Sequence, residues 1–489
     1  MRNIFVSHAR RFVKETGAAL LVALIVLSLC SLLGVFLALN ANTGLIISDN
    51  YESRMQASYA ALAGLDHASA LLRGLGFDEI LRGPDGRYDQ RSVYMNDAKT
   101  FGFRLPVPLP TARTLNITDP AMEIAGIPDD GIINTGFYSG TSGAVLIPVS
   151  GIAMSGPDPS GYGTTILSRY FVKATDNNGE ASELQGDSEN NPFVDGDGVV
   201  IVRSVGVART LSLQPGSVSG RNSVVVYEAK LKRLSMWNIG PALTVLGSGA
   251  EAVFSGAPEI SGGSAPGIGT VSVPPGGGLT ERSIREAAKS VGLITGGGIP
   301  HPSVLDITGG IVHDPDAALL LDPLYLWNFI HRKAPKFADY YHMGNQSWTA
   351  GRTPYLGFYD AGRPWNAPGQ DPKVTVIDGD LTVSGGFSGG GLLIIAGDFS
   401  CIGPVAFNGL ILVIGTGRLE IAGSGPGITG GVVVGRIVEK TEKTFVFGEP
   451  EISIGGDTFL LSDREVIKMA VSLIPAGRIS FREIAGVDP

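Results

Sequence analysis

Seven carboxylates crowd into one segment of the chain, residues 174–202, together with several asparagines. Carboxylate oxygens are hard ligands of the kind that Ca²⁺ prefers. The spacing matches no EF-hand loop, because Ala181 and Val199 stand where such a loop needs other residues. We expect a Ca²⁺ site built from five of these side chains: Asp176, Glu180, Asp187, Asp195 and Asp197. A solvated acidic loop with local turns is the alternative.

A second chemical group is aromatic, with seven Tyr, Trp and Phe side chains between residues 340 and 365. Three of them, Trp348, Tyr355 and Trp365, are candidates to bind a ligand. If exposed, such rings would stack on sugars or anchor a protein partner. The alternative is that they cover the open side or end of a neighbouring domain.

No residue pattern typical of an enzyme is found in the sequence. The histidines of the C-terminal half form no pair at i, i+4, and no H-E-x-x-H, G-x-S-x-G or phosphate-binding loop occurs. Asp380 and Asp398 occupy equivalent places in an internal repeat, where they would stack as a carboxylate pair or would cap two turns. We therefore expect no enzymatic activity.

Composition limits the classes of protein that remain. Of 489 residues, 69 are Gly and 30 are Pro, but the apolar fraction of 44% is too high for a disordered chain. The net charge of −9 disfavours nucleic acid as a partner. Cys30 and Cys401 are the two cysteines, and their separation predicts no disulfide between them.

The internal repeat positions the acidic pair and borders the aromatic stretch. Apolar runs begin at positions 374, 392 and 410, at a constant interval, and glycines follow at 379, 397 and 415 with the same interval. A further run at 432–434 comes four residues late, and residues 243–256 resemble another repeat. Short strands alternating with glycine turns at a constant period predict a β-solenoid.

Residues 257–373 do not fit this repeat and are interpreted as a helical and aromatic insertion. Helices are expected at 280–291 and 316–333. A last helix at 462–473, with a capping box of Ser462 and Glu465, is expected to plug the far end of the solenoid.

A first globular domain is expected upstream of the solenoid, at residues 76–235. Alternating or β-branched runs predict strands at four places: 143–149, 166–174, 199–208 and 224–231. The acidic segment would then be a loop between two strands of an antiparallel sheet.

The N-terminus is the most informative part of the chain. A basic leader stops at Gly17, and an uncharged apolar run follows from Ala18 to Leu39. A run of this length crosses a membrane as a helix, and the basic leader favours an N-terminus on the cytoplasmic side. An ordinary secretory signal is cut after its apolar stretch. Here the cleavable residue precedes the stretch, so the helix would be retained. A plain signal anchor is the alternative.

The helical pattern resumes at residues 52–73 and ends near Gly74. The strings G-A-A-L-L-V-A-L and S-R-M-Q-A-S-Y-A-A-L-A-G-L-D-H-A together resemble the N-terminal region of PilX-type minor pilins. They are similar also to the pseudopilin GspK of type II secretion. The resemblance covers about one seventh of the chain. It implies that a prepilin peptidase cuts between Gly17 and Ala18 and methylates the new amine.

Val22 departs from the pattern of major pilins, which carry Glu at this mature position to pair with a neighbour's N-terminal amine. A terminal subunit can dispense with that pair, whereas an interior one would leave a charge without its partner. The change at Val22 therefore favours a minor or terminal subunit over a bulk one. Leu62 likewise replaces a Glu that the family often has, and its apolar side chain adds burial.

We therefore expect a mostly β, α+β chain with these parts: a leader (1–17), a transmembrane and amphipathic helix (18–75), a pilin-like domain (76–235), a β-solenoid (236–445) and a capping segment (446–489).

The expected function is a minor pilin that primes a type IV pilus and sits near its tip. Its partners would be other minor and major pilins, the peptidase and a tip adhesin. It would start in the inner membrane, with its C-terminus outside, and end on the cell surface. Two alternatives are a GspK-like pseudopilin and a membrane-anchored, carbohydrate-binding or carbohydrate-acting solenoid.

Overall fold

The computed structural model describes the following residues: 4–77, 137–138, 145–147, 151–157, 164–176, 198–209, 222–233, 236–237, 239–273, 275, 278–289, 292–314, 316–363 and 369–483. Helix α1 opens the fold as one continuous helix, Ile4–Leu71. Every side chain from residue 18 to residue 48 is exposed, and most of them are apolar. A helix that exposes apolar side chains all round is compatible with a single-pass membrane anchor.

The second half of α1 packs against an antiparallel sheet of five strands. These are β3 (Ile152–Pro157), β4 (Thr164–Asp176), β5 (Val199–Arg209), β6 (Asn222–Lys232) and β26 (Gly477–Glu483), beside a separate short pair, β1 (Phe137–Tyr138) and β2 (Val145–Ile147). The strand order is β26-β6-β5-β4-β3. The expected strands at 166–174, 199–208 and 224–231 agree with β4, β5 and β6 to within two residues at each end. The expected strand at 143–149 is the shorter β2.

Two parallel sheets form the C-terminal half. The 13-stranded sheet contains β7 (Leu243–Gly247), β9 (Glu259–Ser261), β10 (Ile268–Ser272), β11 (Leu293–Thr295), β12 (Val304–Asp306), β13 (Tyr340–Met343), β15 (Gly357–Phe358), β16 (Asp371–Asp378), β18 (Phe387–Ile395), β20 (Val405–Gly415), β22 (Gly427–Thr441), β23 (Thr444–Phe447) and β25 (Phe459–Ser462). The six-stranded sheet contains β8 (Glu251–Phe254), β14 (Gln346–Thr349), β17 (Leu381–Ser384), β19 (Phe399–Ile402), β21 (Arg418–Gly423) and β24 (Glu451–Gly456). β15 and β23 pair antiparallel at the margins.

The constant interval of the sequence repeat equals the spacing between paired residues on neighbouring strands of these sheets. Val374 pairs with Leu392, and Leu392 with Leu410. At the next strand Ile411 pairs with Val432, so the insertion inferred at this turn is three residues rather than four. Alternate residues face opposite ways: Leu393 points into an interior shared by the two sheets, and Leu392 points to the outer face.

Residues 257–373 were expected to lie outside the repeat, but they supply strands to the same parallel sheets. β7 lies between β10 and β22, so the C-terminal run of strands returns to pair with the first strand of this half. β13 pairs with β16 at the opposite end of the sheet. Since loops and helices of unequal length separate these strands, no constant period marks them in the sequence.

The first short helix, α2 (Leu279–Ala288), packs against β8, β10 and β12, and its Ile284 and Ala288 belong to the interior shared by the two sheets. The other short helices cover the outer face of the 13-stranded sheet. They are α3 (Thr308–His313), a 3₁₀ turn (Ala317–Leu321), α4 (Pro323–Asn328), a π turn (Phe329–Lys333), α5 (Ala334–Phe337) and α6 (Arg464–Ser472). The single helix expected at 316–333 is broken, because Pro323 cannot donate a backbone hydrogen bond and starts a new helix. Asp322 caps that helix by accepting from the Tyr325 amide at 3.0 Å.

The last helix, α6, does not plug an end. It lies across β18, β20 and β22 on the outer face. Its N-cap is Asp463, which accepts from the amides of Glu465 and Val466, whereas the Ser462 hydroxyl bonds to Gly240. The N-cap is therefore one residue later than expected, and the expected capping box does not form, because Val466 then occupies the N3 position.

The chain then returns to the antiparallel sheet, where β26 pairs with β6. The N-terminal unit is thus completed by the C-terminal strand. Arg73, just after α1, ties the two halves together. It donates to the carbonyls of Leu473 and Phe337 at 3.1 and 2.9 Å and to the Asp339 carboxylate at 3.0 Å.

Candidate functional site

Small residues let α1 lie against the antiparallel sheet at backbone distance. A Cβ atom on Gly206 of β5 would stand 1.9 Å from the Ala57 carbonyl oxygen, and one on Gly64 of α1 would stand 2.2 Å from the Ser204 hydroxyl. The side chains of this helix face recur every three or four residues and are buried: Ser53, Ala57, Ala60, Ala61, Gly64, Leu65, Ala68 and Leu72. The contact therefore fixes the direction in which the exposed half of α1 leaves the sheet.

Polar contacts set the register of this helix on the sheet. The hydroxyl of Ser58 lies 2.7 Å from that of Tyr227, and His67 Nδ1 lies 2.9 Å from the Tyr170 hydroxyl. Burial raises the pKa of Tyr170, so this phenol stays neutral and can share its hydrogen bond with the imidazole.

The C-terminal strand β26 clamps the same helix from one side. Arg54 pairs with Glu483, and Arg478 with Asp66, at 3.1 and 3.0 Å. These pairs are exposed, and each contributes little by itself. They nevertheless hold β26 beside the second half of α1.

The two residues predicted to flank a processing site lie inside α1. Its backbone runs through Gly17 and Ala18 without a break, and the Val22 side chain is 59% exposed. A prepilin peptidase would thus meet these residues on a helix next to the apolar segment. Val22 offers no carboxylate to a neighbour's amine.

The predicted calcium ligands fall mostly beyond the described residues. Asp176 is the last residue of β4, and β5 begins at Val199. Glu180, Asp187, Asp195 and Asp197 lie outside the described ranges. Within those ranges no group of three or more His, Cys, Asp or Glu side chains is placed to hold a metal ion.

The three aromatic candidates lie in different settings. Trp348 is 5% exposed and packs into the interior between the parallel sheets, so its ring has no open face. Tyr355 is 52% exposed. Trp365 lies outside the described residues. Of the three, the structure brings Tyr355 alone to a described surface.

Tyr355 lines a groove of about 860 Å³. One side of the groove is the segment 353–359, in which the Phe358 ring is 51% exposed. The other side consists of residues at the start of three neighbouring strands, β18, β20 and β22. Leu356 forms a parallel bridge with Gly389, which attaches the first side to the second.

The side chains on the strand side of the groove are small or uncharged. Ser388, Ala406 and Gly427 lie in register as one row, and Asn408 and Thr429 lie in a second row. The Asn408 amide donates to the Tyr359 carbonyl at 2.7 Å. None of the described residues that line the groove carries a charge. The strand side was not predictable from the sequence, since its small residues resemble ordinary turn residues.

The Tyr355 ring is held from outside the groove. Its hydroxyl donates to the Asp371 carboxylate at 3.0 Å, and Lys373 forms an ion pair with the same carboxylate. Burial and this hydrogen bond raise the pKa of Tyr355, and the hydrogen bond to Asp371 also raises the pKa of Lys373. The ring is therefore neutral and oriented before any ligand arrives.

Asp380 and Asp398 act as turn caps within a ladder of side chains. The Asp380 carboxylate accepts from the Asp398 amide at 2.9 Å and from the Asn345 carboxamide at 3.0 Å. One strand further on, the Asp398 carboxylate accepts from the Thr416 side-chain hydroxyl. Each carboxylate serves the neighbouring turn, which is the second of the two roles expected for this pair.

Comparisons with known proteins give no relative. No family model matches the chain. No curated protein matches it, and no solved structure matches it.

Proposed function

We propose that this chain is a minor, pilin-like subunit of a type IV filament, which primes assembly at or near the tip and displays its β-rich half as a head. Helix α1 carries the proposal. Its first half exposes apolar side chains all round, while its second half is buried on a sheet through small residues. Such a helix suits storage in the membrane and later burial among the helices of neighbouring subunits.

Processing after Gly17 completes the proposal. A prepilin peptidase would remove the basic leader and methylate the amine of Ala18. Val22 supports a terminal place in the filament, because it lacks the carboxylate that would neutralise another subunit's amine. The chain would reside in the inner membrane with its C-terminus outside, and then at the cell surface with other minor and major pilins and a tip adhesin.

We propose further that the parallel sheets form a β-solenoid. The constant register of the repeat and the interior shared by the two sheets support this arrangement. The covering helices and the return of β26 to the N-terminal unit would make the head stiff. A GspK-like pseudopilin would use the same helix, so the small subunits that copurify with the chain distinguish pilus from secretion system.

The mature N-terminus tests the proposal. The full chain is expressed with and without a prepilin peptidase, and the N-terminal peptide is sequenced and weighed. We expect a start at Ala18 with one added methyl group when the peptidase is present. Gly17→Val should block cleavage. Gly34→Val is the matched control, since Gly34 lies in the same helix with open space around it. An intact Met1 under both conditions would contradict the proposal.

Calcium at the acidic segment is a second, independent proposal. The ion would join the end of β4 to the start of β5 and so raise the melting temperature, because it binds the folded chain alone. We expect Asp195→Asn with Asp197→Asn to abolish the rise and the exposed Asp457→Asn to leave it unchanged. An equal melting temperature with Ca²⁺ and with chelator would refute the site.

A further inference from the structure

We propose that the groove beside Tyr355 binds a neutral oligosaccharide. The two sides of the groove have different chemistry. The rings of Tyr355 and Phe358, about half exposed, form one side. Small and uncharged polar side chains from β18, β20 and β22 form the other. The volume of about 860 Å³ lies within the usual range for small-molecule sites.

Exposed rings are the first argument for a sugar. An aromatic face left in water favours a partner that has an apolar face of its own and polar edges. The axial C–H groups of a pyranose ring give such a face, and its hydroxyls give the edges. Because the hydrogen bond to Asp371 already orients the Tyr355 ring, little side-chain entropy would be lost on binding.

Available hydrogen-bonding groups are the second argument. The hydroxyls of Ser388 and Thr429 and the carboxamide oxygen of Asn408 make no hydrogen bond to the described part of the chain. All three lie in the groove, on successive parallel strands about 4.8 Å apart. Sugar hydroxyls, which both donate and accept, can satisfy these three groups.

Charge distinguishes the class of sugar. Among the described residues, no Lys, Arg or His lines the groove to pair with a uronate, sulfate or phosphate, and no Asp or Glu lines it to protonate a glycosidic oxygen. The geometry therefore favours binding of an uncharged chain over its cleavage. This inference does not depend on entry into a filament, so it stands or falls separately from the proposed function.

The test uses the full chain in detergent with defined probes. Maltohexaose, cellohexaose and N-acetylated chitohexaose serve as neutral oligosaccharides and an oligogalacturonate as the charged one, and titration calorimetry measures each Kd. We expect at least one neutral probe to bind and the charged one to bind at least about tenfold more weakly. Tyr355→Ala and Phe358→Ala should each weaken binding about tenfold.

Two further variants make the test decisive. Tyr59→Ala removes an exposed ring on α1 that does not line the groove, and should leave Kd unchanged. Ser388→Trp adds bulk at an exposed groove position without touching the rings, and should abolish binding while the melting temperature is retained. The proposal is overturned if no neutral probe binds, if the charged probe binds best, or if Tyr355→Ala and Ser388→Trp both keep the wild-type Kd.

Discussion

The antiparallel sheet packs against helix α1 and the two parallel sheets pack against each other, and these two contacts are built in opposite ways. In the first, α1 approaches until backbone meets backbone, and Ala57, Gly64 and Gly206 make this possible. In the second, large apolar side chains such as Phe399 and Ile411 fill the space between two sheets. The first contact depends on the absence of side chains, and the second depends on their volume.

Glycine consequently has two roles in one molecule. Gly206 leaves room for a helix from a distant part of the chain. Gly409 leaves room for the next strand, since a Cβ there would stand 1.9 Å from the Gly391 carbonyl oxygen. A methyl group at either position should therefore damage a different half, which the following variants test in order of expected effect.

Gly206→Ala should have the largest effect. Its methyl group would collide with α1 backbone, which cannot move as a flexible side chain can, so we expect a loss of about 3 kcal/mol or more in the free energy of unfolding. Chemical denaturation measures the loss, and hydrogen exchange should rise along residues 54–71. Gly309→Ala is the control, because open space surrounds that helical glycine. Equal stability of the two variants would show that the close contact is unimportant.

Gly409→Ala should cost less, about 1–3 kcal/mol, because its methyl group would meet the backbone of one residue, Gly391, whereas at Gly206 it meets the backbone of both Ala57 and Ala61. Exchange should rise in β18, β20 and β22 while β4, β5 and β6 stay protected. If this variant and Gly206→Ala open the same amides, the two halves unfold as one unit and the comparison fails.

Arg73→Ala tests the connection between the halves. Loss of its three hydrogen bonds should cost about 1–3 kcal/mol, since partly buried carbonyls would lose a charged donor. We expect one calorimetric transition for the wild type and two for Arg73→Ala. Arg54→Ala, which removes an exposed arginine paired with Glu483, should leave the transition single.

The buried Cys401 thiol tests whether the parallel sheets stay closed, and this is the prediction with the smallest expected effect. Burial raises the pKa of its thiol from 9.0 to about 12. The protonated thiol contributes stability below pH 9, and this contribution is lost as the pH rises from 9 towards 12. In a Cys30→Ala background, we expect no alkylation at pH 9 until denaturant opens the sheets. Alkylation of the native chain at the unfolded rate would place Cys401 at the surface.

Much of the fold was predictable where one physical pattern repeats. The constant period of the repeat predicts the pairing of β16, β18 and β20, because apolar residues and turns must coincide in stacked strands. The β-branched runs of β5 and β6 predict those strands within one or two residues.

The errors occur where the pattern depends on distant parts of the chain. Strands such as β10 and β13 are too short to give a period, and only their neighbours in the sheet define them. Nothing local in residues 477–483 indicates that β26 pairs with β6, which lies far earlier in the chain. The close contact between α1 and Gly206 was also not predictable from the sequence, because glycine in a strand more often marks a bulge.

The groove was partly predictable. The aromatic segment 340–365 predicts Tyr355 as a ligand-binding residue, but Trp348 lies in the same segment and is buried. Local sequence cannot separate the two, because burial is decided by which face of a strand meets the interior. Ser388, Asn408 and Thr429 form a site solely through the register of three strands.

Photo-crosslinking from the exposed half of α1 tests the filament account most directly. A photoreactive residue at Leu32, which is 72% exposed, is introduced into the full chain in cells that assemble filaments. The account predicts adducts with other processed filament subunits, and their disappearance when Gly17→Val blocks cleavage. Adducts with lipid alone, unchanged by Gly17→Val, would show that the helix remains a membrane anchor and would contradict the account.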